Sequence, residues 1–443
     1  MALIYARFGF RQAGPLAQVT GMTDTPTARD GALWLLGQVL DEQRLLSELL
    51  GDKRHLRLSP PDRARAQRLA TDTLRGLERA DRVLKPFLRK MPPLAVRNLL
   101  RLATVELCMG GDAHGVVNEA VNTVQRGKRT RHFSGLVNAV LRKVSREGPA
   151  KWAELRVPHL PKWLRGPLRD AYGADVLGAI EAAHFAGAPV DLTVKVDAAL
   201  WAEKLDGTLL PTGSVRLSNA GQVSALAGYE DGAWWVQDAA AALPVRGLGD
   251  IAGLNVLDMC AAPGGKTLQL AAAGANVTAL DLSVSRLERL RENLTRTGLK
   301  AEIVDEDALT FEGGPFDAIV LDAPCSATGT IRRHPDLPLA RDGAEIGALI
   351  GLQSAMLDHA LSLLKPDGRL IYCTCSLIPD EGECQIEEAL ARHSGLRALP
   401  EAFEFPGVEP GWKSDEGGLR LRPDFWADRG GMDGFYMCCL EKG

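Results

Sequence analysis

The sequence predicts an all-α domain followed by an α/β domain with a parallel, doubly wound sheet. Three observations predict it: apolar residues at helical spacing from Ala28 to about Val144, short apolar runs alternating with helical segments from about Asn255, and an uneven split of charge between the two halves. The 443 residues, 46% apolar and 24% charged, suffice for two or three domains, each with its own core. This composition excludes a disordered, collagen-like or coiled-coil chain.

Residues 1–27 have no clear periodicity and are expected to form a loose tail, with Met22 as a second candidate start. Arg7, Arg11 and Gln12 interrupt the apolar residues there, and no window approaches the roughly 18 consecutive apolar residues of a spanning helix, so a cytoplasmic protein with no membrane partner is expected. From Ala28, Leu33, Leu36, Val39 and Leu40 begin a helical pattern that resumes at Leu45, Leu46, Leu49 and Leu50. Pro60-Pro61 interrupts it, and residues 64–77, 95–109, 116–124 and 135–144 read as further helices, about five in all. Pro149, Pro158 and Pro161 mark residues 149–163 as a connector. The expected division is a tail over 1–27, a helical domain over 28–148, a linker and middle subdomain over 149–235, and the α/β domain over 236–443.

Residues 1–148 carry 25 Lys and Arg against 14 Asp and Glu, a net +11, which leaves −15 of the overall −4 for the remainder. Such asymmetry points to a nucleic-acid-facing module joined to something else, although Arg-rich helices are also simply soluble. The basic loop Gln125-Arg-Gly-Lys-Arg-Thr-Arg131 fits a phosphate grip and a solvated loop equally well. Cysteines at 108, 260, 325, 373, 375, 384, 438 and 439 are too sparse for a secreted disulfide scaffold. They form no paired C-x2-C knuckles, so reduced thiols and no metal site are expected.

In the second half, residues 256–259, 277–280, 302–304, 318–321 and 369–374 read as strands, with helices over 283–297 and 355–364 between them. Ligands of such sheets bind beyond the carboxyl ends of the strands. After the first strand, Cys260, Ala261, Ala262, Pro263, Gly264, Gly265 and Lys266 form a small-residue turn that opens a helix and lets a ligand approach backbone N–H groups. The turn is neither a dinucleotide G-x-G-x-x-G nor a Walker A loop, and a purely structural tight turn is its bland reading. Asp281 follows the second strand about 20 residues on, where a carboxylate accepts ribose hydroxyls, although capping of the next helix is equally compatible with it taken alone. Asp307 follows the third strand, a weak candidate for an adenine contact.

Asp322 and Cys325 end the fourth strand, where Pro324 turns the chain out of the sheet, and Cys375 ends the fifth. A lone strand cysteine is ordinarily core, and Cys373, deeper in the strand, is read as core. Two thiols, each immediately before a serine and at the ends of different strands, suit covalent catalysis, with Lys266 available to lower a thiol pKa.

As a set, Cys260 to Lys266, Asp322-Ala-Pro-Cys-Ser326 and Thr374-Cys375-Ser376 resemble the RNA 5-methylcytosine methyltransferases, with Ile331-Arg-Arg-His-Pro-Asp336 and Asp433-Gly434-Phe435 in support. Val117-Asn-Glu-Ala-Val121 and Gly135-Leu-Val-Asn-Ala-Val-Leu-Arg142 resemble a NusB-type RNA-binding domain, and the joint likeness covers nearly everything after Ala28. The resemblance implies a Rossmann-like class I S-adenosylmethionine-dependent sheet, preceded by a NusB-like domain and a small connecting α/β subdomain. It implies S-adenosylmethionine held by residues 260–266, with Asp281 on its ribose, Asp307 on its adenine, and Asp322 near the methyl donor and the target base. Cys375 takes the nucleophile's position and Cys325 assists release. The implied substrate is a cytosine of 16S ribosomal RNA, unassembled or partly folded, with no obligate protein partner. In the middle subdomain, Thr193-Val-Lys-Val-Asp197 stands where the family shows an Arg-Val-Asn segment. Two rival readings are a DNA-type enzyme with Cys325 as nucleophile, disfavoured by Thr374-Cys375-Ser376, and a non-catalytic RNA-binding assembly factor, disfavoured by the intact carboxylates and thiols.

Overall fold

The computed structural model describes residues 26–218 and 220–443, and the chain divides into two compact units after Pro158. Most of the expected tail lies outside the described residues.

The first unit is helical. Helix α1 (Ala28–Leu40) opens with a capping box in which Thr27 and Asp30 satisfy each other's backbone N–H. Helix α2 (Pro60–Arg75) begins at the proline pair, because Ser59 caps it and a proline at the first position lacks an N–H that would be orphaned anyway. Helices α3 (Leu77–Leu84), α4 (Leu94–Cys108), α5 (Ala113–Arg126) and α6 (Ser134–Glu154) follow, and α4 is buried on most of its circumference. Helix α6 runs through Pro149, where a connector is expected. Trp152, under the Arg79 guanidinium at 4.7 Å, anchors this last turn against α3, and Arg79 also donates to the Trp152 and Leu155 carbonyls. In the basic loop Arg126 pairs with Asp30 at 2.9 Å, while Lys128, Arg129 and Arg131 are exposed.

The second unit starts with α7 (Lys162–Tyr172) and α8 (Ala174–Ala186). A small antiparallel sheet follows, of β1 (Val190–Val194), β2 (Thr208–Leu209), β3 (Val215–Leu217) and β4 (Trp234–Val236) in the order β2-β3-β1-β4, closed over Leu192, Val215 and the fully buried Trp234. In the departing segment, Lys195 donates to the Thr297 carbonyl at 2.6 Å and Asp197, left-handed at φ 56°, caps the helix Ala198–Lys204.

The large sheet contains β5 (Asn255–Met259), β6 (Asn276–Leu280), β7 (Glu302–Val304), β8 (Phe316–Asp322) and β9 (Leu364–Thr374), all parallel, in the order β7-β6-β5-β8-β9. Helices α9 (Gly265–Ala272), α10 (Val284–Thr297) and α11 (Ile346–Leu363) are the crossovers. The order reverses at β5, so the crevice opens beyond the carboxyl ends of β5 and β8. Beyond β9 the sheet is mixed. After α12 (Glu383–Arg392), strands β10 (Leu396–Ala398), β11 (Leu419–Leu421) and β12 (Phe435–Lys442) add an antiparallel edge, with β12 paired to β9. A return strand beside β9 completes its hydrogen bonding and buries Met437, Cys438 and Cys439. Among the described residues, α11 is long and apolar enough to cross a membrane by length and composition alone; here Met356, Leu357, Ala360 and Leu361 face the sheet core.

Buried charge joins the small sheet to the large one. Asp191 and Arg216, cross-strand partners, make two 2.7 Å bonds, and Arg216 also reaches the Gly431 carbonyl at 2.6 Å. Arg332, fully buried, bridges Asp238 at 2.5 Å and Asp433 at 2.6 Å, with Arg333 on the same two carboxylates. Arg332-Arg333 and Asp433 are therefore structural in their observed contacts. Replacing Arg332 by Met keeps volume but leaves two buried carboxylates sharing one arginine, a change that costs roughly 3–5 kcal/mol. Urea unfolding of Arg332→Met should show a loss of that order, and a loss under about 1 kcal/mol would contradict the role assigned to the network.

Candidate active site

The end of β5 supplies the first wall. Cys260 adopts the left-handed φ of 66°, a conformation costing a non-glycine residue roughly 1–2 kcal/mol. The turn is tied down against β6: Ala261 N donates to the Leu280 carbonyl at 3.0 Å, Ala262 N donates to Asp281 Oδ2 at 3.0 Å, and Arg286 donates to the Ala262 carbonyl. Gly264 has φ 108°, and a Cβ there would lie 2.3 Å from Leu290, so no side chain fits. Helix α9 begins at Gly265 with no side-chain cap, which leaves its first N–H groups available to a ligand.

Below the turn, Asp258 is fully buried on β5. One oxygen accepts from Thr267 Oγ1 at 2.5 Å and the other, Oδ1, has no partner among the described residues. Burial pushes its carboxyl up to about 7, only partly opposed by the Thr267 hydroxyl and the Lys266 charge.

Asp281 is 5% exposed and holds two backbone N–H groups, from Ala262 and from Ser283 at 2.9 Å. It therefore braces the 260–266 turn and the bend after β6 and does not cap the next helix, whose N-cap Ser283 makes no side-chain bond, and each carboxylate oxygen keeps a further lone pair for a ligand hydroxyl. Asp307, after β7, accepts from Leu309 N at 3.0 Å in a turn. Asp322 closes β8, where Lys266 Nζ bonds its Oδ2 at 2.8 Å and the Cys373 thiol lies 3.6 Å from its Oδ1. Burial by itself disfavours the Lys266 ammonium, but Asp322 together with Cys373 and Asp258 outweighs burial and raises the lysine above its ordinary range. The hydrogen-bond partner of Lys266 is thus the Asp322 carboxylate. Cys373 is wholly buried in the core, and burial pushes its thiol well up despite the nearby lysine.

Cys325 and Cys375, both partly exposed, approach to 3.5 Å between sulfurs. The Cys325 thiol is pushed well up, first by its hydrogen bond to Cys375 and then by burial. The backbone holds this approach: Ala323 N donates to the Cys373 carbonyl and Gly329 N to the Cys375 carbonyl, each at 2.9 Å. Gly434 N closes the third side on the Gly329 carbonyl at 2.8 Å, and a Cβ on Gly329 would lie 1.9 Å from the Gly434 oxygen. The sequence reading assigned no role to Asp258, Glu381, Gln353 or Thr328, all around this crevice. A serine after each cysteine was the available signal for the last three, because a hydroxyl at a strand end needs a partner.

Residues 250–441 match the family model described as 16S rRNA methyltransferase RsmB/F, and residues 26–146 match that of the NusB family. Ribosomal RNA small subunit methyltransferase B of Pseudomonas syringae is 38% identical over 411 residues, covering 86% of this chain and 89% of the relative. The chain belongs to the small-subunit ribosomal RNA methyltransferase B family. The namesake enzyme of Vibrio vulnificus is 35% identical, covering 94% of this chain and 99% of its own. Two solved structures share the fold. A methyltransferase homolog from Pyrococcus horikoshii has a TM-score of 0.51 at 27% identity, covering 63% of this chain and 94% of that one; PH0851 has a TM-score of 0.71 at 22% identity, covering 95% and 100%.

As a member of this family the protein is an S-adenosylmethionine-dependent ribosomal RNA methyltransferase with a Rossmann-like catalytic sheet and a NusB-type helical domain. The donor set fits that cofactor: uncapped helix N–H groups beside a glycine turn, and carboxylates at the ends of β6, β7 and β8 around the switch point.

The orphaned Asp258 has a measurable consequence. Its carboxyl titrates near 3.8 when unfolded and about 7 when folded, so between these values the fold binds more protons and stability falls as pH rises. The slope approaches about 1.4 kcal/mol per pH unit at its steepest. Urea midpoints from pH 4.5 to 7.5 should decline for the wild type relative to Asp258→Asn, and parallel profiles would remove the assignment.

Proposed function

We propose that the protein methylates C5 of a cytosine in 16S ribosomal RNA through a covalent adduct, with Cys375 as nucleophile and Cys325 assisting release. The observation that carries this reading is the 3.5 Å approach of two thiols at the ends of adjacent strands, beside an Asp322 that accepts from Lys266 Nζ at 2.8 Å. C5 of cytosine is a poor nucleophile until a thiolate adds at C6. The sulfur lone pair forms the S–C6 bond, the C5–C6 π pair becomes nucleophilic at C5 and takes the methyl group, and the S–CH3 bond of S-adenosylmethionine breaks with its pair left on sulfur, so that S-adenosylhomocysteine departs. A base then takes the C5 proton, the S–C6 bond breaks, and the thiolate leaves.

The two thiols are not equivalent in this scheme. The Cys325 thiol is pushed up by its contact with Cys375, so in this scheme Cys325 is the one that keeps its proton and serves as donor across the 3.5 Å contact. That bond stabilises the thiolate as it attacks and again as it departs. Asp322 faces the same crevice, where its carboxylate, oriented by Lys266, accepts from the exocyclic amine and from N3 once the adduct is protonated there. S-adenosylmethionine is assigned to the 260–266 turn, with Asp281 on the ribose and Asp307 on the adenine.

Methylation by wild type, Cys325→Ala and Cys375→Ala on a 16S fragment tests the assignment. A denaturant-resistant protein–RNA adduct should accumulate in Cys325→Ala and be absent from Cys375→Ala. The reverse pattern would transfer the nucleophile to Cys325. RNA that binds without adduct or methylation in any protein would favour the assembly-factor reading.

A cytosine reaching thiols at the strand ends must be unstacked, single-stranded or flipped out of its helix. Naked or partly folded 16S RNA should therefore be methylated at least tenfold faster than finished small subunits, and equal rates on the two substrates would count against this.

A further inference from the structure

Both cysteines of the thiol pair precede a serine, and neither serine has a part in the chemistry above. Their hydroxyls converge on one side chain. Glu381, in the turn Pro379–Glu381 after β9, is fully buried. Its Oε2 accepts from Ser326 Oγ and from Ser376 Oγ, each at 2.5 Å, while its Oε1 accepts from Ser326 N at 2.9 Å and Gln353 Nε2 at 3.0 Å.

Donors from three chain segments therefore meet on one carboxylate. Gln353 Nε2 also donates to the Pro324 carbonyl at 2.9 Å, so it steadies the peptide leading into Cys325. Thr328 Oγ1 lies 3.2 Å from both serine hydroxyls and accepts from Leu377 N at 2.9 Å. The Glu381 backbone is itself held, its carbonyl accepting from Tyr372 Oη at 2.9 Å and Thr374 Oγ1 at 3.1 Å. Four donors on one buried carboxylate are charge-assisted bonds, stronger and more directional than neutral ones.

We propose that Glu381 is a positioning residue for the thiol pair, bonding the serine beside each cysteine and so holding the two sulfurs at their working separation. The inference rests on the assignment of Cys375 and Cys325 to catalysis. It explains why serine follows both thiols: a residue without a hydroxyl at 326 or 376 loses its own bond to the shared anion. Glu381 has a second, electrostatic effect, because its charge adds to the factors that keep Cys325 protonated.

Glu381→Gln keeps the size but replaces four charge-assisted bonds by weaker neutral ones, which loosens both serines; Ser326→Ala/Ser376→Ala keeps the anion and removes the two hydroxyl tethers. Both proteins should bind S-adenosylmethionine and RNA with KM values within about threefold of wild type, while kcat falls on the order of a hundredfold, as a misplaced reacting group does. Cys325 alkylation against pH, read by peptide mass spectrometry in a Cys375→Ala background, should shift to lower pH with Glu381→Gln and not with the double serine variant. Wild-type kcat in either protein would overturn the proposal, as would a loss confined to KM, or a kcat loss with an unmoved alkylation profile in Glu381→Gln. The thiol assignment has its own test: a Cys375→Ala protein that still methylates removes the basis of both, whereas wild-type turnover in Glu381→Gln removes only this one.

Discussion

The parallel pairing of β8 with β9 is the constraint on which the crevice depends. Its register sets Asp322 opposite Cys373, and the ladder ends one step later with the bond from Ala323 N to the Cys373 carbonyl. Both chains then leave the sheet side by side, one through Pro324 and the other through Ser376. The thiols that follow are neighbours because the strands carrying them are neighbours, although 50 residues separate them in sequence. A one-residue slip would turn Asp322 and Cys373 to opposite faces and separate carboxylate from thiols.

The residues around the crevice trade stability for function in several places. Asp258 is buried with an oxygen that has no partner among the described residues, Cys260 holds a left-handed backbone, and the partly exposed thiols face each other. Each is unfavourable in isolation, and each lies at the end of β5, β8 or β9. The compensation comes from the strands themselves. Val256, Leu257, Ile319, Val320, Leu370 and Ile371 are fully buried, and burying such a side chain contributes roughly 1.5–3 kcal/mol. A rigid apolar sheet thereby tolerates polar strain at one edge.

Charge outside the crevice acts in a different way. Arg216 with Asp191, and Arg332 and Arg333 with Asp238 and Asp433, are buried networks that tie the small sheet, the loop after β8 and the segment before β12 to one another. Buried ion pairs are weak sources of net stability, but breaking one is costly, so they suit the selection of one arrangement among alternatives. They fix the segment that presents Gly434 to Gly329, and through Gly329 the backbone of Cys375.

Much of this was legible in the chain. Helical spacing in the front half, alternating strands and helices in the back half, and the strand-end positions of Lys266, Asp281, Asp307, Asp322, Cys325 and Cys375 follow from local periodicity and from the rule that such sheets bind ligands beyond their carboxyl edge. What local pattern cannot carry is pairing across long separations. The helix continues through Pro149 because Arg79 and Trp152 hold its last turn, and β12 joins the sheet, antiparallel, at the open edge of β9. Lys266 engages Asp322, Asp281 braces the turn before any ligand arrives, and two serines 50 residues apart share the carboxylate of Glu381. The sequence by itself determined which elements form and which chemical groups stand at the strand ends, since both depend on near neighbours. The tertiary structure alone decided which of those groups touch, because contact depends on strand order, register and the competition of buried polar atoms for partners.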